Sequence, residues 1–160
     1  MKSFVVVVMG VSGSGKTTIG RALALEMGWP YRDADDYHPS ANVAKMATGT
    51  PLDDSDRWPW LDKLNSVLRD EHAAVLGCSA LKEAYRQRLT AGLKAFRIVY
   101  LRGTFELLSK RAAERQHRFM PASLLKSQFE TLEPPRGAIE IDVEKPVAQC
   151  VAAIRLQLGR

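Results

Sequence analysis

The chain has 160 residues, enough for one domain of ordinary size, and 46% of them are apolar, enough for a substantial core. That composition excludes a disordered or low-complexity chain, and no segment offers the roughly 20 successive apolar residues of a membrane helix. A net charge of +5 suits a protein that handles anions, but no block of like charges reads as a nucleic-acid arm.

Phe4 to Met9 is a short apolar run that reads as a first strand rather than a signal peptide. It leads into Gly10-Val11-Ser12-Gly13-Ser14-Gly15-Lys16-Thr17, a P-loop. Glycines at three of these positions permit backbone angles that a side chain would block, so successive N–H groups can surround a phosphate. Lys16 then reaches the outer phosphates, Thr17 offers its hydroxyl to Mg²⁺, and the following helix points its positive end at the same anion. With Thr18, this loop is the predicted ATP site.

The helix after the loop carries Ile19, Ala22, Leu23 and Met27 on one stripe and ends at Gly28 and Pro30. Tyr31 to Asp36 reads as a short second strand. Residues two apart at a strand end point to one side, which would place Asp33 and Asp35 together in the cleft, one toward Mg²⁺ and one toward an acceptor hydroxyl. Asp36 reads as part of a solvated acidic turn.

A short helix is predicted from Pro39 to Met46. Another starts near Ser55 with Trp60, Leu61, Leu64 and Leu68 on its apolar face, and Pro59 is expected in its first turn. Ala73 to Ser79 is a third strand, Lys82 to Leu89 a helix, and Phe96 to Leu101 a fourth strand with the continuous hydrophobicity of a doubly covered sheet. Thr104 caps a helix running toward Arg115; Gln116 to Met120 interrupts the pattern, and Pro121 opens a helix to about Leu132. Ile139 to Val143 is a fifth strand. A last helix follows Pro146, with Val147, Val151, Ile154 and Leu158 facing inward. Alternation of five strands with helices predicts a single α/β domain, residues 1–160, with a parallel sheet and ligands at the carboxyl ends of its strands. Cys78 and Cys150 lack metal-ligand spacing and read as buried free thiols, which together with ATP use points to the cytoplasm.

Arg111 and Arg115 lie one helical turn apart, and Arg118 follows in the interruption. Positive side chains there can close over a transferring phosphoryl group as a lid spanning roughly 111–132. A solvated basic helix end is the competing reading, and for Arg118 the two are evenly balanced.

The run Asp33-Ala34-Asp35-Asp36-Tyr37-His38-Pro39, with Asn42, Lys45-Met46, Gly49, Pro51-Leu52, Asp54, Asp56-Arg57 and Pro59-Trp60-Leu61, resembles the gluconokinases. So do Cys78-Ser79-Ala80-Leu81-Lys82, Tyr85-Arg86, Phe119-Met120-Pro121, Ser127-Gln128-Phe129-Glu130 and Leu132-Glu133, so that the resemblance spans nearly the whole chain. It implies a three-layer P-loop fold similar to nucleoside monophosphate kinases and shikimate kinase, with sheet order 2-3-1-4-5, helices on both faces and a small helical lid. It also implies ATP-dependent phosphorylation of D-gluconate at its 6-hydroxyl, with Mg²⁺ as cofactor and a homodimeric assembly.

By position in that pattern Asp35 orients and deprotonates the hydroxyl and Asp33 lies near Mg²⁺, while Thr17 keeps its place at the metal and Lys16, Arg111 and Arg115 keep theirs at the transferring group, as read from the loop and the helix above. His38, Lys45, Arg57, Lys82 and Arg86 are the candidates for binding the sugar acid, several of them on a helical segment of roughly 37–66; Trp58 and Trp60 read as packing. The chain departs from the pattern at His117-Arg118, where the family usually shows Gly-His, so no role is assigned to a lid histidine. A different small-molecule kinase on this fold is the main rival. A nucleotide-dependent switch is a weaker one, since the Asn-Lys-x-Asp guanine signature is missing, and a nucleic-acid binder ranks lowest.

Overall fold

The computed structural model describes residues 4–114 and 122–160. Five strands, β1 (Phe4–Met9), β2 (Tyr31–Asp33), β3 (Ala73–Gly77), β4 (Phe96–Arg102) and β5 (Ile139–Asp142), form one parallel sheet in the order β2-β3-β1-β4-β5. Among the described residues seven helices connect and cover them: α1 (Lys16–Met27), α2 (Ser40–Ala47), α3 (Asp54–Asp70), α4 (Glu83–Thr90), α5 (Phe105–Glu114), α6 (Ala122–Thr131) and α7 (Val147–Leu158). Both the fold class and the strand order implied by the family resemblance are found.

Strand β1 shows why three layers form. Val5 to Met9 are at most 2% exposed, and their side chains alternate between two cores. Val6 and Val8 pack with Ile19 and Leu23 of α1 and Val151 and Ile154 of α7. Val5, Val7 and Met9 face Leu61, Leu64 and Leu68 of α3 and Tyr85 and Leu89 of α4. A polar residue on either side of this strand would be buried without solvent. The central strand therefore holds the phosphate loop on a rigid stem between both layers.

The predicted elements recur with local differences. Strand β2 stops at Asp33, and Ala34–Tyr37 forms a 3₁₀ turn instead of continuing the strand. Pro59 is the sixth residue of α3, beyond the first turn in which the sequence places it. Its missing N–H leaves the Ser55 carbonyl without the usual helical donor, and because both residues are exposed, water can replace that bond. Val147 is 39% exposed, so the inner stripe of α7 consists of Val151 and Ile154 with Leu158 at its edge. Cys78 and Cys150 are buried free thiols. Among the described residues no helix is long and apolar enough to cross a membrane.

Helix α3 begins with a complete capping box. Asp53 Oδ1 accepts from Asp56 N at 2.9 Å, and Asp56 Oδ2 accepts from Asp53 N at 2.9 Å. The Ser55 hydroxyl and then the Asp56 amide hold the Asp53 carboxyl down to about 2. A carboxyl whose folded pKa lies below its unfolded value of about 3.9 stabilises the fold above that value and loses its contribution as pH falls through the folded pKa. Asp53→Ala is therefore expected to lower the urea midpoint at pH 7, with the two proteins converging as pH falls from about 4 toward 2.

Candidate active site

The phosphate loop leaves β1 at Met9. A Cβ on Gly10 would lie 2.5 Å from Ser14 Oγ and 3.1 Å from the Leu101 carbonyl, so only glycine lets the loop turn back this tightly over β4. Gly13 and Gly15 have φ of 80° and 97°, in the left-handed region that side chains disfavour. Gly15 is the N-cap of α1; it supplies no capping side chain, and the first turn holds no acidic residue. The helix start thus presents its N–H groups and positive dipole end to an anion. Lys16 Nζ donates to the carbonyls of Gly10 and Val11, each at 3.0 Å, which folds the ammonium back over the loop.

The acidic side of the site comes from the end of β2. Asp33 Oδ1 accepts from Asp35 N at 3.0 Å, capping the 3₁₀ turn. The strand alternation expected to align Asp33 with Asp35 is therefore replaced by a turn, and the Asp35 side chain is 81% exposed. The two carboxylates and Lys16 still lie at the carboxyl-end edge of the sheet, after β2 and β1 on either side of β3. Burial pushes the Cys78 thiol up to about 12, Lys16 opposes that shift, and Asp35 and Asp33 both reinforce it. Tyr31 reports the same grouping from β2: burial raises its phenol, the Thr17 side chain lowers it, and Asp33 and Asp35 raise it. Its hydroxyl is buried beside Thr17.

Among the described residues no cluster of three or more His, Cys, Asp or Glu side chains makes a metal cage. Mg²⁺ does not need one when phosphate oxygens and waters fill most of its octahedron. Thr17 and Asp33 fit that mode, being hard oxygen donors that both act on the Tyr31 phenol.

Beyond Asp35 lies a second group of polar side chains. The His38 ring stacks on Trp60 with centroids 4.3 Å apart, and its Nε2 is 3.9 Å from Asp35 Oδ1. Asn42 Nδ2 donates to the Asp56 carbonyl at 2.9 Å, which fixes its amide orientation, so its 3.3 Å contact to His38 Nδ1 is a donation as well. The imidazole proton then sits on Nε2, facing Asp35. Burial lowers the His38 pKa against the pull of Asp35, which keeps the ring neutral at pH 7.

Arg57 and Lys82 lie on opposite sequence segments but share Tyr85, 5.4 and 5.5 Å from its ring centroid. Tyr85 donates to Asp54 in a short hydrogen bond, and Lys82 Nζ and Arg57 Nη1 lie 3.6 and 3.9 Å from the same carboxylate. The Tyr85 hydrogen bond, followed by the two cations, lowers the Asp54 pKa. The result is a patch with two positive groups and one negative group, able to receive a second carboxylate.

Two of the expected acceptor contacts have other tasks. Lys45 Nζ is 2.5 Å from Asp56 Oδ2 and 3.7 Å from Asp53, and so ties α2 to the capping box of α3. Arg86 is 2% exposed, and its guanidinium donates to the carbonyls of Ala80 and Glu133, each at 2.7 Å, and to Glu83 at 3.0 Å. Its burial and full set of partners correct the expectation of a substrate contact. Arg86 instead pins the loop that carries Lys82 to the segment after α6.

Of the lid arginines, Arg111 donates to the Val143 carbonyl at 2.7 Å, which anchors α5 to the end of β5. Arg115, His117 and Arg118 lie outside the described residues. Helices α5 and α6 meet edge to face through Phe105 and Phe129, 5.8 Å apart.

Sequence reasoning does not single out Tyr85, Asp54, Asn42 or Glu133 as a connected set. These residues are 31 positions apart for Tyr85 and Asp54 and 50 for Glu133 and Glu83, so no local spacing signals their contact.

The glycine loop at the uncapped start of α1, with Lys16 folded over it and the aspartates two strands away at the end of β2, is the arrangement of a P-loop kinase. The family model described as shikimate kinase matches residues 12–136. A probable gluconokinase of Xenopus tropicalis is 44% identical, with 98% of this chain and 94% of the relative covered. The gluconokinase of Gluconobacter oxydans is 47% identical over 84% of this chain and 78% of its own length. Among solved structures, a gluconokinase from Sinorhizobium meliloti superposes with a TM-score of 0.89 at 42% identity, covering 99% of this chain and 92% of that one. The chain belongs to the gluconokinase family, within the shikimate-kinase-like P-loop kinases.

The structural role of Arg86 has a direct test. Arg86→Met is expected to cost about 2–4 kcal/mol in urea unfolding, because the Ala80 and Glu133 carbonyls lose their donor in a buried setting. A fully stable variant with a raised acceptor KM would restore the substrate role instead.

Proposed function

We propose that this protein transfers the γ-phosphoryl group of ATP to the 6-hydroxyl of D-gluconate, giving 6-phospho-D-gluconate and ADP. What supports the reading is the topology, which delivers Lys16 after β1 and Asp33 and Asp35 at the end of β2 to one edge of the sheet, with the cationic patch of Arg57 and Lys82 on the acceptor side. The extensive identity to gluconokinases supports the choice of acceptor.

Main-chain N–H groups of the loop from Gly10 to Thr18, other than those of Ser12 and Ser14, which have partners within the protein, bind the β- and γ-phosphates, and Lys16 neutralises charge that builds up on them. Thr17 and Asp33 would hold Mg²⁺, which would supply positive charge to offset that of the phosphates. Asp35 orients the acceptor hydroxyl and takes its proton. His38, with its Nε2–H facing Asp35 at 3.9 Å, lines the acceptor side of that carboxylate. Arg57 and Lys82 bind the gluconate carboxylate, with Tyr85 and Asp54 fixing their spacing. The lid role expected of Arg111 and Arg115 requires Arg111 to exchange its bond to the Val143 carbonyl for the transferring group. The same reading makes the protein a cytoplasmic homodimer that acts on small molecules and binds neither nucleic acid nor membrane.

A steady-state panel with MgATP tests the acceptor: gluconate is expected to give ADP and a phosphorylated acid, and turnover of shikimate or a nucleoside monophosphate with none of gluconate would overturn the assignment. Lys16→Ala is expected to lower kcat/KM by about 10²–10³-fold through lost charge stabilisation, and a near-normal value would contradict its role. Asp35→Asn should reduce kcat by about 10²–10⁴-fold while MgATP affinity stays within about twofold. The reverse pattern would move Asp35 to the nucleotide.

A further inference from the structure

One polar contact of the phosphate loop crosses the molecule. The Ser12 N–H donates to Gln128 Oε1 of α6 at 2.6 Å. The Val11 carbonyl, the other half of the same peptide unit, accepts from Lys16 Nζ at 3.0 Å. A trans peptide is planar and directs its C=O and N–H to opposite edges. The Val11–Ser12 unit is therefore gripped on both edges, by α6 on one and by the phosphate-binding lysine on the other. Any rotation of that peptide breaks both bonds together.

Gln128 is itself held firmly. Leu125, one turn earlier, is 1% exposed in the core, and Phe129 packs on Phe105 of α5. Just past α6, Glu133 N donates to the Leu81 carbonyl at 2.8 Å, Glu133 Oε1 accepts from Glu83 N at 2.9 Å, and Arg86 donates to the Glu133 carbonyl. Those contacts tie α6 to the start of α4, where Lys82 is the N-cap. A continuous set of short contacts thus joins the acceptor-side lysine to the nucleotide-side lysine through one glutamine.

We propose that Gln128 is a positioning residue for the nucleotide: it orients the Val11–Ser12 peptide and, through that carbonyl, the Lys16 ammonium. The proposal rests on the reading of Lys16 as the ligand of the outer phosphates. Gln128 needs no contact with ATP or gluconate for this role. Its amide oxygen also polarises the peptide, so that the Val11 carbonyl becomes a better acceptor for the ammonium.

The test uses Gln128→Met, which keeps length and stem but removes the acceptor. MgATP affinity is measured by titration in the otherwise wild-type chain and in Lys16→Ala, with thermal unfolding of each variant. Expected is about a fivefold loss of affinity, the size of one ordinary hydrogen bond, which shrinks below twofold once Lys16 is gone, with Tm unchanged within a few degrees. In gluconate turnover, kcat falls several-fold while the gluconate KM stays within twofold. Equal losses in both backgrounds, no loss at all, or a loss that follows a lowered Tm would overturn the proposal. The titration needs only MgATP, so its outcome holds whatever the acceptor is. Wild-type-like binding by Lys16→Ala would instead count against Lys16 as the phosphate ligand.

Discussion

Main-chain N–H groups that turn inward around an anion repel one another and forgo helix or sheet partners, so the loop from Gly10 to Thr17 must be held in that shape by everything around it. The structure supplies the restraint from several directions. Strand β1 below is buried on both sides and cannot shift without opening two cores. Gly10 allows close approach to the Leu101 carbonyl of β4, Lys16 bridges two carbonyls of the loop itself, and Gln128 reaches in from α6. Preorganised donors of this kind stabilise developing charge without having to rearrange during reaction.

From that anchor the division of labour follows the sheet. Parallel strands deliver their carboxyl ends to one edge, so β1, β2 and β3 bring the phosphate loop, the aspartates and the Cys78–Lys82 segment together. The acceptor side is assembled by helices α2, α3 and α4, whose contacts are ionic and aromatic: Lys45 with Asp56, Trp60 with His38, and Tyr85 with Asp54, Arg57 and Lys82. These polar contacts on partly exposed helices are worth far less than the packing of the central strand.

Much of this is legible in the sequence, and the limits have physical reasons. The loop and its flanking elements are a local pattern with fixed spacing, and the buried strands β1, β3 and β4 announce themselves through uninterrupted apolar runs. Strand order is not local, and it comes from the family resemblance. Tyr31 to Asp36 reads as one strand because an aspartate that caps its own downstream amide looks no different in sequence from a strand-end aspartate. Arg86 and Lys45 read as substrate ligands since a basic residue in a matching motif carries no mark of burial. Only the fold shows that carbonyls and a capping box already occupy them. Gln128 stands within a family motif yet has no task that the sequence reveals, because its partner lies 116 positions away.

The central claim is that one end of the sheet holds the nucleotide's outer phosphate within reach of a hydroxyl presented by the Asp35 side. A crystal structure with a non-hydrolysable MgATP analogue and D-gluconate bound together measures this directly. The account predicts the gluconate 6-oxygen in line with the γ-phosphorus at about 3–3.5 Å, hydrogen-bonded to Asp35, with the carboxylate on Arg57 and Lys82. Gluconate bound far from the phosphate loop, or oriented with its carboxylate toward Asp35, would contradict it.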